Sequence, residues 1–554
     1  MKSLLQQNIL QKLLSSPYMI LWMGIVVITP LIVTLLMTSY YIPGLDETFQ
    51  IQAAYHLAHG QGFVSARDAQ VLDVAKPEFL YMNAWPIGYS GILALLVKIG
   101  VSLDMACVLF MIGSYALGLW GWHTASTFIL HTHKGRILFV LGVLLLLVTW
   151  GVYATTTLTW SLMAWLTVAV IRYESAYRMI GKSMTKEIVL RLTGISILLS
   201  AMIVMRYSNV AILPGIGLFL VWVHRDRLPH LALSGLAVGV IPVATYQVIM
   251  YTNRLLSGAS AFTEGMTVQY RGFSFVWLLE SLRALYLEAP LRLETTLSTV
   301  MLKFGIIGFY PAVSLIAGVL CFIATLLVVW SLRSDKALQA LSVWFGSVLA
   351  GLFLILLGYM MMFLQSANHA QGRYYAFLFP VVWLIVVAYI ESRQTRFFQS
   401  ATTLGVIGIL ILASISSYSV FRYRLYQEYQ IKYATTNTLI QSVLKQYPAD
   451  TRSFVIAQRL FPGFVGIQAY YPTIVDPTRL PLLRASQTTI IILAHDAKPR
   501  DMQWGNGLDN FDEIVLRYGL TVKQDGDIRI AYRALYAGEN IQGAWHPIET
   551  TALQ

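Results

Sequence analysis

Ile20-Leu-Trp-Met-Gly-Ile-Val-Val-Ile28 and Leu31-Ile-Val-Thr-Leu-Leu-Met37, running into Tyr41-Ile-Pro-Gly-Leu-Asp46-Glu47-Thr-Phe-Gln50, decide how this chain is read. The apolar part, Tyr18 to Tyr40, is too long for the hydrophobic core of a signal peptide, and no small-x-small cleavage site follows it. It predicts an uncleaved membrane helix with Lys2 and Lys12 on its cytoplasmic side. Immediately after it stand two adjacent carboxylates, Asp46 and Glu47. Ionisable groups at a bilayer face are costly, so such a pair points to chemistry or to a bound ion. The competing reading is that both acids favour the start of the next helix, where the helix dipole is positive.

Composition agrees with a chain that lives in lipid. Of 554 residues, 57% are hydrophobic and 12% charged, against about 25% charged in soluble domains. Mean hydropathy is +0.63. A span needs about 20 mostly apolar residues, and the pattern predicts roughly eleven. They fall near 18–40, 102–129, 136–152, 155–172, 188–205, 208–223, 231–250, 303–330, 338–365, 374–390 and 398–420. Alternate loops carry the basic residues: Lys134 and Arg136; Arg172, Arg178, Lys182 and Lys186; Arg225 and Arg227; Arg333 and Lys336; Arg393 and Arg396. Such loops stay in the cytoplasm, so the N-terminus is expected inside and the C-terminal segment outside. The formal net charge of +12 is thus a topology signal, and it argues against nucleic acid as a partner. Cys107 and Cys321 sit alone in apolar runs and support neither a zinc site nor a disulfide framework.

Two regions outside the lipid carry the polar residues. The first external loop, 41–101, starts with the Asp46-Glu47 pair, then Phe49, Ala53, Ala54, Leu57 and Ala58 at helical spacing. This predicts a helix lying along the membrane face, closed by His59-Gly-Gln-Gly62. Arg67, Asp68, Asp73 and Lys76 follow, and Asn83-Ala-Trp85-Pro-Ile-Gly-Tyr89 returns the chain to the bilayer. After Phe421-Arg-Tyr-Arg-Leu-Tyr426, strand-length apolar runs alternate with helical ones. Ser453 to Ala457 and Thr488 to Ala494 read as strands, Gly463 to Tyr470 and Phe511 to Tyr518 as helices, and Asp527 to Tyr532 alternates. The expected architecture is an α-helical polytopic membrane domain, 1–420, with an external α/β domain over 421–554.

Leu45-Asp46-Glu47, then Ala54-x-x-Leu57-Ala58-x-Gly60-x-Gly62, then Trp85-Pro-x-Gly-Tyr89, resembles the GT-C superfamily of membrane glycosyltransferases. Within it the nearest look is the family-39-like group, similar to protein mannosyltransferases and to the lipid A aminoarabinose transferase. Arg206-Tyr207 with Leu213-Pro-Gly, and Arg373-Tyr374-Tyr375 at the start of a late span, extend the resemblance. It implies transfer of a sugar from a polyprenyl-phosphate donor to a glycan, lipid or protein acceptor at the external face, with inversion at the anomeric carbon. It also implies a bacterial inner or plasma membrane location.

The resemblance makes Asp46 the general base and gives Glu47 a supporting place. A membrane-embedded arginine costs roughly 2.5–3.5 kcal/mol on insertion scales, so Arg206 and Arg373 are expected to face a polar cavity or a partner. Guanidinium binds phosphate oxygens in pairs, which makes them candidates for the leaving phosphate. Lys76 and Arg271 are further candidates, while snorkelling to the interface is the competing reading for the arginines. Asp68, Asp73, His56 and Tyr374 complete the candidates. His56 and His59, three apart, make a poor metal site and read as interfacial polar residues.

The sequence departs from its relatives at Tyr153-Ala-Thr-Thr-Thr-Leu-Thr159-Trp160, where many carry a second acid. This leaves a divalent cation open, and the resemblance calls for no other cofactor. A transporter or flippase of lipid-linked sugar, or a polyprenyl-binding scaffold, would also have many spans and buried arginines. Against a transporter, the sequence shows no internal repeat and few of the mid-span Gly/Pro breaks expected at a transport site.

The predicted orientation has a direct check. In a background with Cys107 and Cys321 replaced by serine, Ser183→Cys should resist a membrane-impermeant maleimide in intact spheroplasts. Thr551→Cys should react. The reverse pattern would overturn the orientation.

Overall fold

The computed structural model describes residues 45–65, 80–83, 85–150, 154–257, 275–288, 301–304, 306–331, 335–362, 375–393, 424, 427–428, 431–432, 434–448, 451–457, 469–470, 485–496, 511–537 and 539–540. The expected spans at 18–40 and 398–420 lie outside these residues. The chain divides into two compact units. One holds 84–88 and 108–421 with the N-terminal 41 residues; the other joins 42–83 and 89–107 to 422–554.

The first unit is helical. Its main elements begin with the greater part of α3 (Leu103–Ile129), followed by α4 (His133–Trp150), α5 (Ala154–Met179) and α6 (Lys186–Met205). A short 3₁₀ turn, Tyr207–Ala211, leads into α7 (Ile212–His224) and α8 (Leu228–Ser257). Then come α9 (Phe275–Arg283), α10 (Tyr310–Ser331), α11 (Lys336–Met362) and α12 (Phe379–Ser392). Among the described residues, six helical stretches are long and apolar enough to cross a membrane: 103–129, 186–205, 207–224, 228–256, 307–331 and 336–355. The expected spans at 136–152 and 155–172 correspond to α4 and α5. The one at 374–390 is a shorter apolar helix, α12, of 14 residues.

Small residues set the closest approaches of these helices, as is usual where lipid supplies no hydrophobic drive between them. A Cβ on Gly351 of α11 would meet the backbone N of Gly215 in α7 at 2.6 Å and the carbonyl of Ala211 at 2.8 Å. A Cβ on Gly142 of α4 would stand 2.1 Å from Nε1 of Trp383. That bare backbone admits the indole of α12, whose N–H donates to the carbonyl of Phe139 at 3.2 Å. Glu391, at the end of α12, accepts the backbone N–H groups of His131 (3.1 Å) and Thr132 (2.5 Å), donors just ahead of α4. Ser196 of α6 donates to the carbonyl of Val238 in α8 at 3.0 Å, and Trp344 of α11 to the hydroxyl of Thr167 in α5 at 3.2 Å. By contrast, α8 and α10 leave most of their apolar side chains uncovered by protein, as spans facing lipid do.

The second unit begins with α1 (Leu45–Ala58), a two-residue ladder of β1 (Val64–Ser65) with β2 (Leu80–Tyr81), and most of α2 (Gly88–Lys98). Its C-terminal part carries a mixed five-stranded sheet in the order β4-β3-β5-β7-β6. The strands are β3 (Arg452–Ala457), β4 (Ala469–Tyr470), β5 (Thr489–Asp496), β6 (Thr521–Asp525) and β7 (Ile528–Leu535). β4, β3 and β5 run parallel, while β7 and β6 form an antiparallel hairpin turned at Gly526, which has φ +59°. Thr489 to Leu493 are all fully buried, because β5 is the middle strand and β-branched side chains fill both of its faces. The amphipathic α13 (Phe511–Tyr518) buries Phe511, Ile514 and Tyr518. In place of the helix expected over Gly463–Tyr470, Ala469 and Tyr470 pair with β3 as a short strand; 463–468 lie outside the described residues. Their apolar spacing fits either period, and pairing with an available strand edge decides it.

Packing of α7 on α11 yields a prediction. Gly351→Ala should lower stability by about 1–3 kcal/mol, since its methyl meets backbone that cannot swing away. Gly346→Ala, with open space around it, should be neutral or stabilising through helix propensity. Thermal unfolding of detergent-solubilised variants checks the contrast.

Candidate active site

The helix after the first apolar run is present as α1, Leu45–Ala58, with Asp46 and Glu47 in its first turn. Its C-terminus is closed as expected. Gln61 N–H bonds back to the carbonyl of His56 at 2.9 Å, and Gly60 and Gly62 take φ of +76° and +93°, which glycine adopts without strain. The apolar stripe is not matched by an exposed opposite face, however. Every residue from Glu47 to Ala54 is buried, and the polar ones are buried with the apolar ones: Glu47, Thr48, Gln50, Gln52 and His56. The apolar stripe that the sequence offers is real, but the intervening positions are covered too, so no side of the helix is given over to water.

Glu47 is 1% exposed. A buried carboxylate is costly unless its surroundings compensate it, so the position calls for charge or hydrogen-bond donors. Asp46 starts the same turn; its side chain lies outside the described ones. The chain after α1 is drawn in tightly. Ser90 of α2 donates to the carbonyl of Gln50 at 2.8 Å, and Tyr89, the last residue of Trp85-Pro-Ile-Gly-Tyr89, is fully buried.

His56 Nδ1 lies 2.5 Å from Gln61 Oε1, a contact in which the ring N–H donates. Burial holds the imidazole below the usual histidine range; the Gln61 bond opposes that shift and the nearby His59 adds to it. His59 Nδ1 is 2.8 Å from the carbonyl of Tyr55. Both rings are thus engaged locally. Among the described residues, no three His, Cys, Asp or Glu side chains gather as a metal-binding group.

Arg206 belongs to the first unit and stands at a break. It is the last cap of α6 and the first of the 3₁₀ turn, with extended backbone at φ −154° and ψ 127°. Its guanidinium Nη1 donates to the hydroxyl of Thr156 on α5 at 3.0 Å. Two further anchors hold the residues after it. Tyr207 accepts at its hydroxyl from Asn253 of α8 at 2.9 Å. Asn209 donates to the hydroxyl of Thr159 at 3.2 Å and to the carbonyl of Met202 at 2.7 Å. Thr156, Thr159, Asn209 and Asn253 are all buried.

These four residues were not among the sequence candidates. The signal was present in the threonine run before Trp160, where hydroxyls recur three apart on one face of α5. It was legible as the place of a missing acid, but not as an arginine's seat.

Lys76, Asp68, Asp73, Arg271, Arg373 and Tyr374 lie outside the described residues. Tyr375, next to the last two, is fully buried. A separate cavity of about 590 Å³ opens in the second unit, between the helical residues around 424–435 and the β6–β7 turn. It is lined by charges of both signs, among them Arg424, Lys432, Asp525 and Asp527.

Solved structures with a similar chain course are ArnT from Cupriavidus metallidurans bound to undecaprenyl phosphate, and the archaeal oligosaccharyltransferase AglB from Archaeoglobus fulgidus in complex with an inhibitory peptide and a dolichol-phosphate. The first is 13% identical, with 92% of this chain and 98% of that one covered and a TM-score of 0.43. The second is 10% identical, with 95% and 75% covered and a TM-score of 0.47. No protein-family model and no curated protein matches the chain.

The His56 environment sets a pH dependence. A histidine whose folded pKa is depressed stabilises the fold fully above its ordinary value near 6.5, and that stability is lost as pH falls through the folded value. Melting curves of the wild type should therefore drop below pH 6.5 more steeply than those of His56→Gln. Parallel curves would refute the assignment.

Proposed function

We propose that this chain is a membrane glycosyltransferase that moves one sugar from a polyprenyl-phosphate carrier to an acceptor at the external face. The observation that carries the reading is the acid pair in the first turn of α1, with Glu47 buried. The loop motifs around it support the same class.

In this reaction the acceptor oxygen or nitrogen attacks the anomeric carbon as the bond from that carbon to the phosphate oxygen breaks. The electron pair of that bond leaves on the polyprenyl phosphate, and the acceptor's proton passes to Asp46. Attack opposite the leaving phosphate inverts the anomeric centre. General-base help of this kind contributes about 10² to 10⁴ in rate. Glu47, already out of water, orients the acceptor or the neighbouring backbone. The phosphate's growing charge is met by Arg206 and Arg373, with Lys76 and Arg271 from the external loops. Cations held ready where charge develops stabilise the transition state without reorganising. Aspartate and glutamate near the donor also leave room for a divalent cation.

The test uses the full chain in nanodiscs with a panel of polyprenyl-phosphate sugars and envelope extract as acceptor source. Release of polyprenyl phosphate is followed by mass spectrometry. Asp46→Asn should lower release by about 10² to 10⁴ while donor binding is kept. Donor binding by the wild type with no release, or release indifferent to Asp46, would sink the proposal and favour transport or simple lipid binding.

A further inference from the structure

Arg206 is not simply a charge at the end of a span. The three residues Arg206, Tyr207 and Asn209 are each tied by a side-chain hydrogen bond to a different buried polar residue: Thr156, Asn253 and Thr159. Two of those partners, Thr156 and Thr159, sit one helical turn apart on α5. Asn209 in addition closes back on the carbonyl of Met202, which also accepts the backbone N–H of Arg206 at 3.0 Å. A snorkelling arginine needs none of this, because its head group is solvated by water and headgroups. Here the backbone leaves the helix at Arg206, and buried side chains from two neighbouring helices fix both the break and the guanidinium.

We propose that Thr156 is the positioning residue for Arg206, aiming the guanidinium at the phosphate of the polyprenyl donor. This rests on the reading of Arg206 as a phosphate ligand. Paired guanidinium–phosphate hydrogen bonds need a defined plane, and a long side chain loses rotamer freedom when it is held in one. The Thr156 hydroxyl pre-orders that plane, so the cost is met on folding rather than on binding. Thr159 and Asn209 act one step further back by holding the turn from which the arginine departs.

A double-mutant cycle tests this, with a polyprenyl monophosphate as probe and nanodisc-embedded protein. Arg206→Ala should weaken binding about tenfold or more, and Thr156→Val about three- to tenfold. Thr156→Ser, which keeps the hydroxyl, should restore it to within about twofold. The pair Thr156→Val with Arg206→Ala should bind no worse than Arg206→Ala alone, because the threonine acts only through the arginine. Turnover at saturating donor should fall less than KM rises for Thr156→Val. Thr156→Ala serves the same purpose if the valine variant is not recovered folded.

The outcomes separate. Normal probe binding by Arg206→Ala removes Arg206 from the phosphate site, and the functional reading of that residue fails. Loss with Arg206→Ala but not with Thr156→Val or Thr156→Ala refutes positioning alone. Losses that multiply in the double variant, or failure of Thr156→Ser to rescue, also refute it and leave the threonine a structural part of α5.

Discussion

A backbone that leaves the helix between two membrane spans must find new partners for its amides and carbonyls, because hydrocarbon offers none. At Arg206 the break is one residue wide, and its groups are accounted for locally. Its N–H goes to Met202, its carbonyl accepts from Asn209, and the Asn209 side chain returns to Met202 and reaches Thr159. The rest of the first unit is arranged so that this can hold. α5 brings hydroxyls to the break, α8 brings Asn253, and the tight approach of α7 to α11 fixes the chain just beyond it.

The second unit solves a different problem, which is how to keep a carboxylate and several amides away from water. Glu47, Gln50, Gln52 and His56 share a helix whose every side is covered. A polar helix of this kind is stable only if the enclosing protein supplies its hydrogen bonds, and it is then held rigidly. In the proposed reading, rigidity suits Asp46 as a base that has to meet an acceptor at hydrogen-bond distance, because small displacements cost large factors in rate. The same burial holds the His56 imidazole below the usual histidine range, which disfavours a positive charge on the helix.

Much of this was legible before any coordinates. Long apolar runs with basic loops between them placed the helices, and Thr488 to Ala494 could only be a buried strand. The α1 boundaries followed from the acid pair at one end and His59-Gly-Gln-Gly62 at the other. What failed did so for identifiable reasons. An amphipathic stripe says which side of a helix is apolar but not whether the other side is covered, and here the polar positions are buried with the apolar ones. Ala469 and Tyr470 took strand conformation from β3, a partner far off in sequence. The threonine run holding Thr156 could be read only as the place of a missing acid, because a hydroxyl carries no charge; its bond to Arg206 depends on how α5 and α6 pack.

The mixed sheet carries one more consequence. An unpaired strand edge is a template onto which a foreign chain can add. At one border of the sheet stands β4, of which Ala469 and Tyr470 are described. The other, β6, reads Thr521-Val-Lys-Gln-Asp525, and its Lys523 is held by the hydroxyl and carbonyl of Ser442. The β6 border is therefore a poor receiver, because a charged and anchored side chain interrupts the run that a foreign strand would have to match.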